Sequence, residues 1–70
     1  MQALTERYTL QEIQSEADFI VFSEDRGLLS EHYSAGEARM AFYQEARAFS
    51  LGDYLPTIYR RDDDHWVPLS

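Results

Sequence analysis

The strongest constraint on the fold is residues 19–22, Phe-Ile-Val-Phe, because the run is apolar at every position. These residues are β-branched or aromatic, and the run is too short to form a helix of its own. A strand that is apolar on both faces belongs at the centre of a sheet. Turn residues follow, with Gly27 free to take a positive φ, and residues 28–33 predict a second strand that pairs back as a hairpin.

A capping box near the N-terminus predicts a first helix. The Thr9 hydroxyl can accept the Glu12 N–H, while the Glu12 carboxylate can reach back to Thr9. Tyr8 and Ile13 stand where a hydrophobic staple would form. We expect a helix of about two turns that ends near Ala17.

A second capping box, Ser34 with Glu37, predicts the main helix, from Ala35 to about Phe49. Because successive residues step about 100° around a helix, its apolar residues fall on one side. That side comprises Ala35, Ala38, Phe42, Ala46 and Phe49. The alanines suit a helix that lies close on a sheet, and Gly52 stands where a left-handed cap belongs.

The last segment predicts a second hairpin. Residues 57–59 and 65–67 favour strands, and Pro56 and Pro68 fit strand ends, because proline cannot donate to a ladder. The element order is then α-β-β-α-β-β. We expect one α+β domain over residues 1–70, with an antiparallel sheet and the helices packed on one face.

Three consecutive aspartates lie between these two strands, followed by a histidine: Asp62, Asp63, Asp64 and His65. Calcium loops space their acids at alternate positions and add a glycine and a distal glutamate, which this segment lacks. A zinc site from His32, His65 and a carboxylate remains open, but no spacing demands it. We interpret the aspartates as a turn, which Asp tolerates well, and expect no metal and no cofactor.

Catalytic chemistry is poorly represented in the sequence. The chain has no cysteine and no lysine, which removes thiolate and Schiff-base nucleophiles, and it has no serine elbow or glycine-rich phosphate loop. We interpret His32 as a solvated strand residue. A domain this small is not expected to enclose a substrate pocket of about 300 Å³. We expect a binding or structural protein with no catalytic residues.

The charge balance is one-sided, with 13 acidic residues, six arginines and a net charge of −7. Such a chain repels nucleic acids and anionic membranes, so its attraction runs toward basic protein partners. If both hairpin turns point to the same end of the sheet, their acids form one negative rim: Glu24, Asp25, Asp62, Asp63 and Asp64. That rim could occupy a groove meant for phosphates. The alternative is that the acidity serves solubility.

A second candidate surface lies on the outer side of the main helix, where Met40, Tyr43 and Arg47 are spaced by three and four residues. Tyr and Arg are enriched at interface hot spots, and Met adapts to irregular partners. Either this face binds a partner, or the first helix or a second copy of the chain covers it. We assign Trp66 to packing, because the nearby aspartates oppose stacking on a nucleobase.

In size and charge the chain resembles the small acidic inhibitors that phages and mobile elements direct against host nucleic-acid machinery, anti-CRISPR proteins among them. The resemblance implies a non-enzymatic protein that blocks a basic, nucleic-acid-handling partner. The alternative is a homodimeric or adaptor module that uses the Met40, Tyr43 and Arg47 face. No signal-peptide pattern opens the chain and no apolar run reaches about 18 residues, so a cytoplasmic location is expected.

Overall fold

The computed structural model describes residues 8–48 and 55–69. Within these ranges the elements are β1 (Tyr8–Thr9), β2 (Phe19–Ser23), β3 (Gly27–His32), α1 (Ala35–Arg47), β4 (Thr57–Asp62) and β5 (His65–Pro68). Every strand pairing is antiparallel, and the order across the sheet is β1-β5-β4-β2-β3. The domain is therefore α+β, with a five-stranded antiparallel sheet.

The central position of β2 is confirmed, since β2 pairs with β3 on one side and with β4 on the other. Gly27 closes the first hairpin with a φ of +84°, a conformation that glycine adopts without steric cost. Between Val21 and Phe22 the register shifts, so that Leu29 is an extra residue in β3. This bulge lies on an edge strand, where bulges limit pairing with other chains.

The main helix is also confirmed. Ser34 is its N-cap and accepts the Glu37 N–H at 3.2 Å. Ala38 is fully buried, and α1 contacts β2, β3 and β4. The described helix ends at Arg47, and the expected positions of Phe49 and Gly52 lie outside the described residues.

The predicted first helix is wrong. β1 and a single turn occupy its place, and residues 14–18 contain no helix. The capping box itself forms: Glu12 N–H donates to Thr9 Oγ1 at 3.1 Å, and Thr9 N–H donates to Glu12 Oε1 at 2.8 Å. The element order is thus β-β-β-α-β-β, and the expectation of two helices on one face is wrong with it.

Two different layers cover the sheet instead. On one face Ile20 and Tyr59, which pair across β2 and β4, form a cluster with Ile13 and Trp66. Tyr8, Leu10 and Phe22 pack against this cluster. Because side chains alternate along a strand, Val21 and Ile58 point to the opposite face, where α1 packs. The N-terminal segment, residues 8–18, therefore covers one face of the sheet, and α1 covers the other.

Candidate interaction surfaces

The two hairpin turns lie at opposite ends of the sheet. In the antiparallel pairing of β2 with β4, Phe22 is opposite Thr57 and Phe19 is opposite Arg60. The turn after β2 is therefore beside the start of β4, and the turn after β4 is beside the start of β2. The length of β4 separates them by about 17 Å, roughly twice the Debye length at physiological ionic strength.

The single rim expected from Glu24, Asp25, Asp62, Asp63 and Asp64 is therefore wrong as a contiguous surface. Glu24 and Asp25 are exposed at one end, where the turn is held by the buried Ser23 hydroxyl, which accepts the Asp25 and Arg26 N–H groups at 3.1 and 3.3 Å. Glu24 Oε2 also accepts from the Tyr8 hydroxyl at 3.4 Å.

A different set of carboxylates meets at the other end. Arg61 N–H donates to Asp18 O at 2.9 Å, and the Arg61 guanidinium donates to the carbonyls of Ser15 and Ala17 at 2.7 and 2.8 Å. These bonds hold the segment that ends at Asp18 beside the end of β4. Five exposed acidic residues result, here named the acidic end: Glu16, Asp18, Asp62, Asp63 and Asp64.

The acidic end keeps most of its charge. Arg60 Nη1 lies 3.9 Å from Asp62 Oδ2, and the Arg61 guanidinium is directed to backbone carbonyls and lies 5.2 Å from the centre of the Trp66 ring. His65 Nδ1 contacts Asp64 Oδ1 at 2.7 Å. Five carboxylates against two arginines leave a net charge of −3 when His65 is neutral.

The interpretation of the aspartates as a turn is confirmed for Asp63 and Asp64, whereas Asp62 is the last residue of β4 and pairs with His65. Asp63 and Asp64 connect β4 to β5, and Asp63 has a φ of +56°, which Asp tolerates better than most residues. Asp64 O also accepts the Leu10 N–H at 3.2 Å, which joins this turn to the N-terminal turn. In residues 8–48 and 55–69, no three His, Asp or Glu side chains converge as metal ligands.

The helix surface is exposed to solvent. Met40 and Tyr43 are 66% and 65% exposed, and Arg47 is exposed one turn further on. The alternative in which a first helix covers them is wrong, because the N-terminal segment covers the opposite face of the sheet.

Sequence reasoning missed Arg39, which is also exposed and lies one turn before Tyr43, although the spacing of four residues was readable. The helix stripe comprises Arg39, Met40, Tyr43 and Arg47.

A groove of about 320 Å³ lies beside this stripe, between α1 and the start of β4. Arg39, Phe42 and Tyr43 line it from α1, and residues 56–58 and Leu69 line it from the sheet. A second hollow, of about 340 Å³, is lined by residues 9–11 and Asp64. Both hollows are open grooves at the margins of the packed layers, so the expectation that the domain does not enclose a substrate pocket of about 300 Å³ stays a prediction.

Trp66 and His32 are both held within the fold. Trp66 is fully buried and its Nε1–H donates to Ile13 O at 2.7 Å, which confirms the assignment to packing. His32 is half-buried, and its Nε2 lies 2.8 Å from Ser30 Oγ. His32 is therefore a strand residue, as predicted, but it is half-buried and not solvated.

Comparisons with protein-family models, with curated proteins and with solved structures give no match to this chain. Among the described residues, no helix has the length and apolar character needed to cross a membrane. The function therefore has to be argued from the acidic end and the helix stripe themselves.

Proposed function

We propose that the protein is a non-enzymatic binding protein whose acidic end occupies a basic, nucleic-acid-binding surface of a protein partner in the cytoplasm. In size and charge the chain resembles the phage and mobile-element inhibitors that block host nucleic-acid machinery, anti-CRISPR proteins among them. The observation that supports it is that two chain segments, held together by Arg61, place five exposed acidic residues at one end of the sheet.

The backbone of the acidic end is held in place by hydrogen bonds within the protein, so this surface is preorganised for binding. Arg61 fixes the backbone of residues 15–18 against β4, and the two-residue turn at Asp63 and Asp64 fixes the aspartates. Fixed groups lose less conformational entropy on binding than mobile ones. Carboxylates form strong hydrogen bonds with arginine and lysine, which are the groups that bind phosphates on a nucleic-acid-binding surface. The net charge of −7 adds long-range attraction to such a partner.

The test compares two variants that each remove two negative charges. Asp18→Asn with Asp63→Asn alters the acidic end, and Asn keeps the turn because it also tolerates a positive φ. Glu24→Gln with Asp25→Asn alters the opposite turn and serves as the matched control. Tagged proteins are incubated with bacterial lysate over a salt series, and the affinity of each retained partner is then measured with purified components.

The acidic-end variant is expected to bind a basic nucleic-acid-binding partner roughly tenfold more weakly, while the control retains most of the affinity. Wild-type binding should fall steeply as salt rises. Equal losses in both variants would show that only net charge matters. Unchanged affinity in the acidic-end variant would remove this surface from the function.

A second candidate function rests on the two-thirds exposure of Met40 and Tyr43, which suits a homodimeric or adaptor module. In that case the acidity serves solubility. An apolar interface should persist at high salt, so sedimentation of the protein at low and high ionic strength distinguishes it from the acidic-end proposal.

A further inference from the structure

The helix stripe is a locally basic surface on an acidic protein. Arg39 and Arg47 flank Tyr43 one turn to either side, and neither arginine forms an ion pair with any residue that the structure describes. The two carboxylates of α1, Glu37 and Glu45, lie about 120° and 160° from Tyr43 around the helix. A partner at this stripe therefore meets two cations and a tyrosine ring.

The groove beside Tyr43 offers this partner an apolar binding site. Phe42 and Tyr43 form one wall, with ring centroids 5.4 Å apart, and Ile58 and Leu69 lie on the other side. Its volume of about 320 Å³ is at the lower limit of ligand pockets, which suits one large side chain.

Charge opposes the homodimeric form of the second candidate function at this surface. A twofold axis across the helix at Tyr43 would place Arg39 of each copy opposite Arg47 of the other, and a twofold axis along the helix would place each arginine opposite its own counterpart. Juxtaposed like charges oppose association. The positive charge of the helix stripe therefore favours a partner that carries carboxylates.

We propose that the helix stripe and its groove bind an acidic segment of another protein, in which one large apolar residue is flanked by carboxylates. Arg39 and Arg47 are eight residues apart, or about 12 Å along the helix. In an extended segment, residues two before and two after the apolar residue point to the same side and span about 13 Å. The pattern acid-x-apolar-x-acid therefore matches the two arginines and the groove. This inference uses a surface separate from the acidic end and does not depend on it.

The probe is a fluorescein-labelled ten-residue peptide with a phenylalanine flanked by glutamate two residues away on each side. One comparison peptide replaces both glutamates with glutamine, and another replaces the phenylalanine with serine. Binding is measured by fluorescence anisotropy, and the Met40 methyl resonance reports whether the peptide occupies the helix stripe.

The acidic peptide should bind about five- to twentyfold more tightly than the glutamine peptide, since two exposed ion pairs are made. Arg39→Gln with Arg47→Gln should abolish that preference. The matched control, Arg26→Gln with Arg60→Gln, removes two arginines elsewhere and should keep it. Tyr43→Ala should weaken the acidic and glutamine peptides alike, and the serine peptide should bind most weakly.

The proposal is overturned by equal affinity for the acidic and glutamine peptides, by loss of the preference in the control variant, or by no shift of the Met40 resonance at about 1 mM peptide. It is also overturned if sedimentation shows a self-association that Tyr43→Ala abolishes, because a second copy then occupies the stripe. The Arg39, Tyr43 and Arg47 variants change exposed side chains of α1, and circular dichroism verifies that the helix is intact.

Discussion

The two capping boxes begin in the same way and lead to different structures. Thr9 Oγ1 accepts the Glu12 N–H at 3.1 Å, and Ser34 Oγ accepts the Glu37 N–H at 3.2 Å. After Ser34 the chain continues as a helix of 13 residues, whereas after Thr9 it makes one turn and stops. The same local signal thus marks where a helix can start, but it does not set how far the helix extends.

The difference arises after the first turn. Ile13 N–H still donates to Thr9 O at 3.2 Å, as in a helix. A helix that continued to Ala17 would join Ala17 N–H to Ile13 O, but Trp66 Nε1–H donates to that carbonyl and Ser15 Oγ accepts the Ala17 N–H at 3.1 Å. One tertiary and one local hydrogen bond therefore replace a bond that the longer helix needs, whereas α1 continues with alanines that allow close packing on the sheet.

The largest expected effect follows from removing the tertiary donor to the Ile13 carbonyl. Trp66→Phe leaves the Ile13 carbonyl without its partner and opens a small space in the core, so we expect a loss of about 2–3 kcal/mol in the free energy of unfolding. Urea denaturation measures this loss. Tyr43→Phe, at an exposed aromatic position, should change stability by less than about 0.5 kcal/mol. Similar values for the two variants would show that Trp66 does not hold the N-terminal segment.

A smaller loss is expected from Arg61→Met, which removes the bonds to the Ser15 and Ala17 carbonyls and keeps an apolar stem over Trp66. Hydrogen bonds to a charged group suggest about 1.5–2 kcal/mol. Arg60→Met is the adjacent control, and its exposed pair with Asp62 should contribute about 0.5 kcal/mol or less. Hydrogen exchange of the Ala17 amide should accelerate only in the Arg61 variant. If both variants accelerate it equally, the difference between the two regions has another cause.

The smallest effects test the two caps directly. Ser34→Ala should lower stability by about 1 kcal/mol and reduce the helical signal in circular dichroism. Thr9→Ala should lower stability by about 0.5 kcal/mol, at the low end of capping effects, and leave the helical signal unchanged, because Trp66 and Arg61 still hold the following segment. A matching loss of helical signal in the Thr9 variant would contradict this account.

Local patterns predicted much of the fold. The apolar run at residues 19–22, the α1 cap at Ser34 and the turns at Gly27 and Asp63 each depend on neighbouring residues, and the structure confirms them. The order of strands could not be read in the same way, because the pairing of β2 with β4 joins residues far apart in the sequence. That pairing separates the two acidic turns and decides which carboxylates share an end.

The two candidate surfaces differ in the same way, since one depends on local spacing and the other on tertiary contacts. The helix stripe needs only helical spacing, and Arg39 was readable beside Met40, Tyr43 and Arg47. The acidic end needs Asp18 and Glu16 to meet the aspartate turn, which no sequence spacing indicates.

By itself, the sequence determined the central strand, the main helix, the tight turns and a charge of −7, because each depends on composition or on residues within a few positions of one another. The tertiary structure alone decided that the first capping box yields one turn and that the acids gather at one end. The physical reason is competition for backbone hydrogen bonds. Trp66 donates to the Ile13 carbonyl from 53 residues away, and Arg61 donates to the Ala17 carbonyl from 44 residues away. Both donors lie in the last hairpin, so these bonds can form only when that hairpin packs against the N-terminal segment.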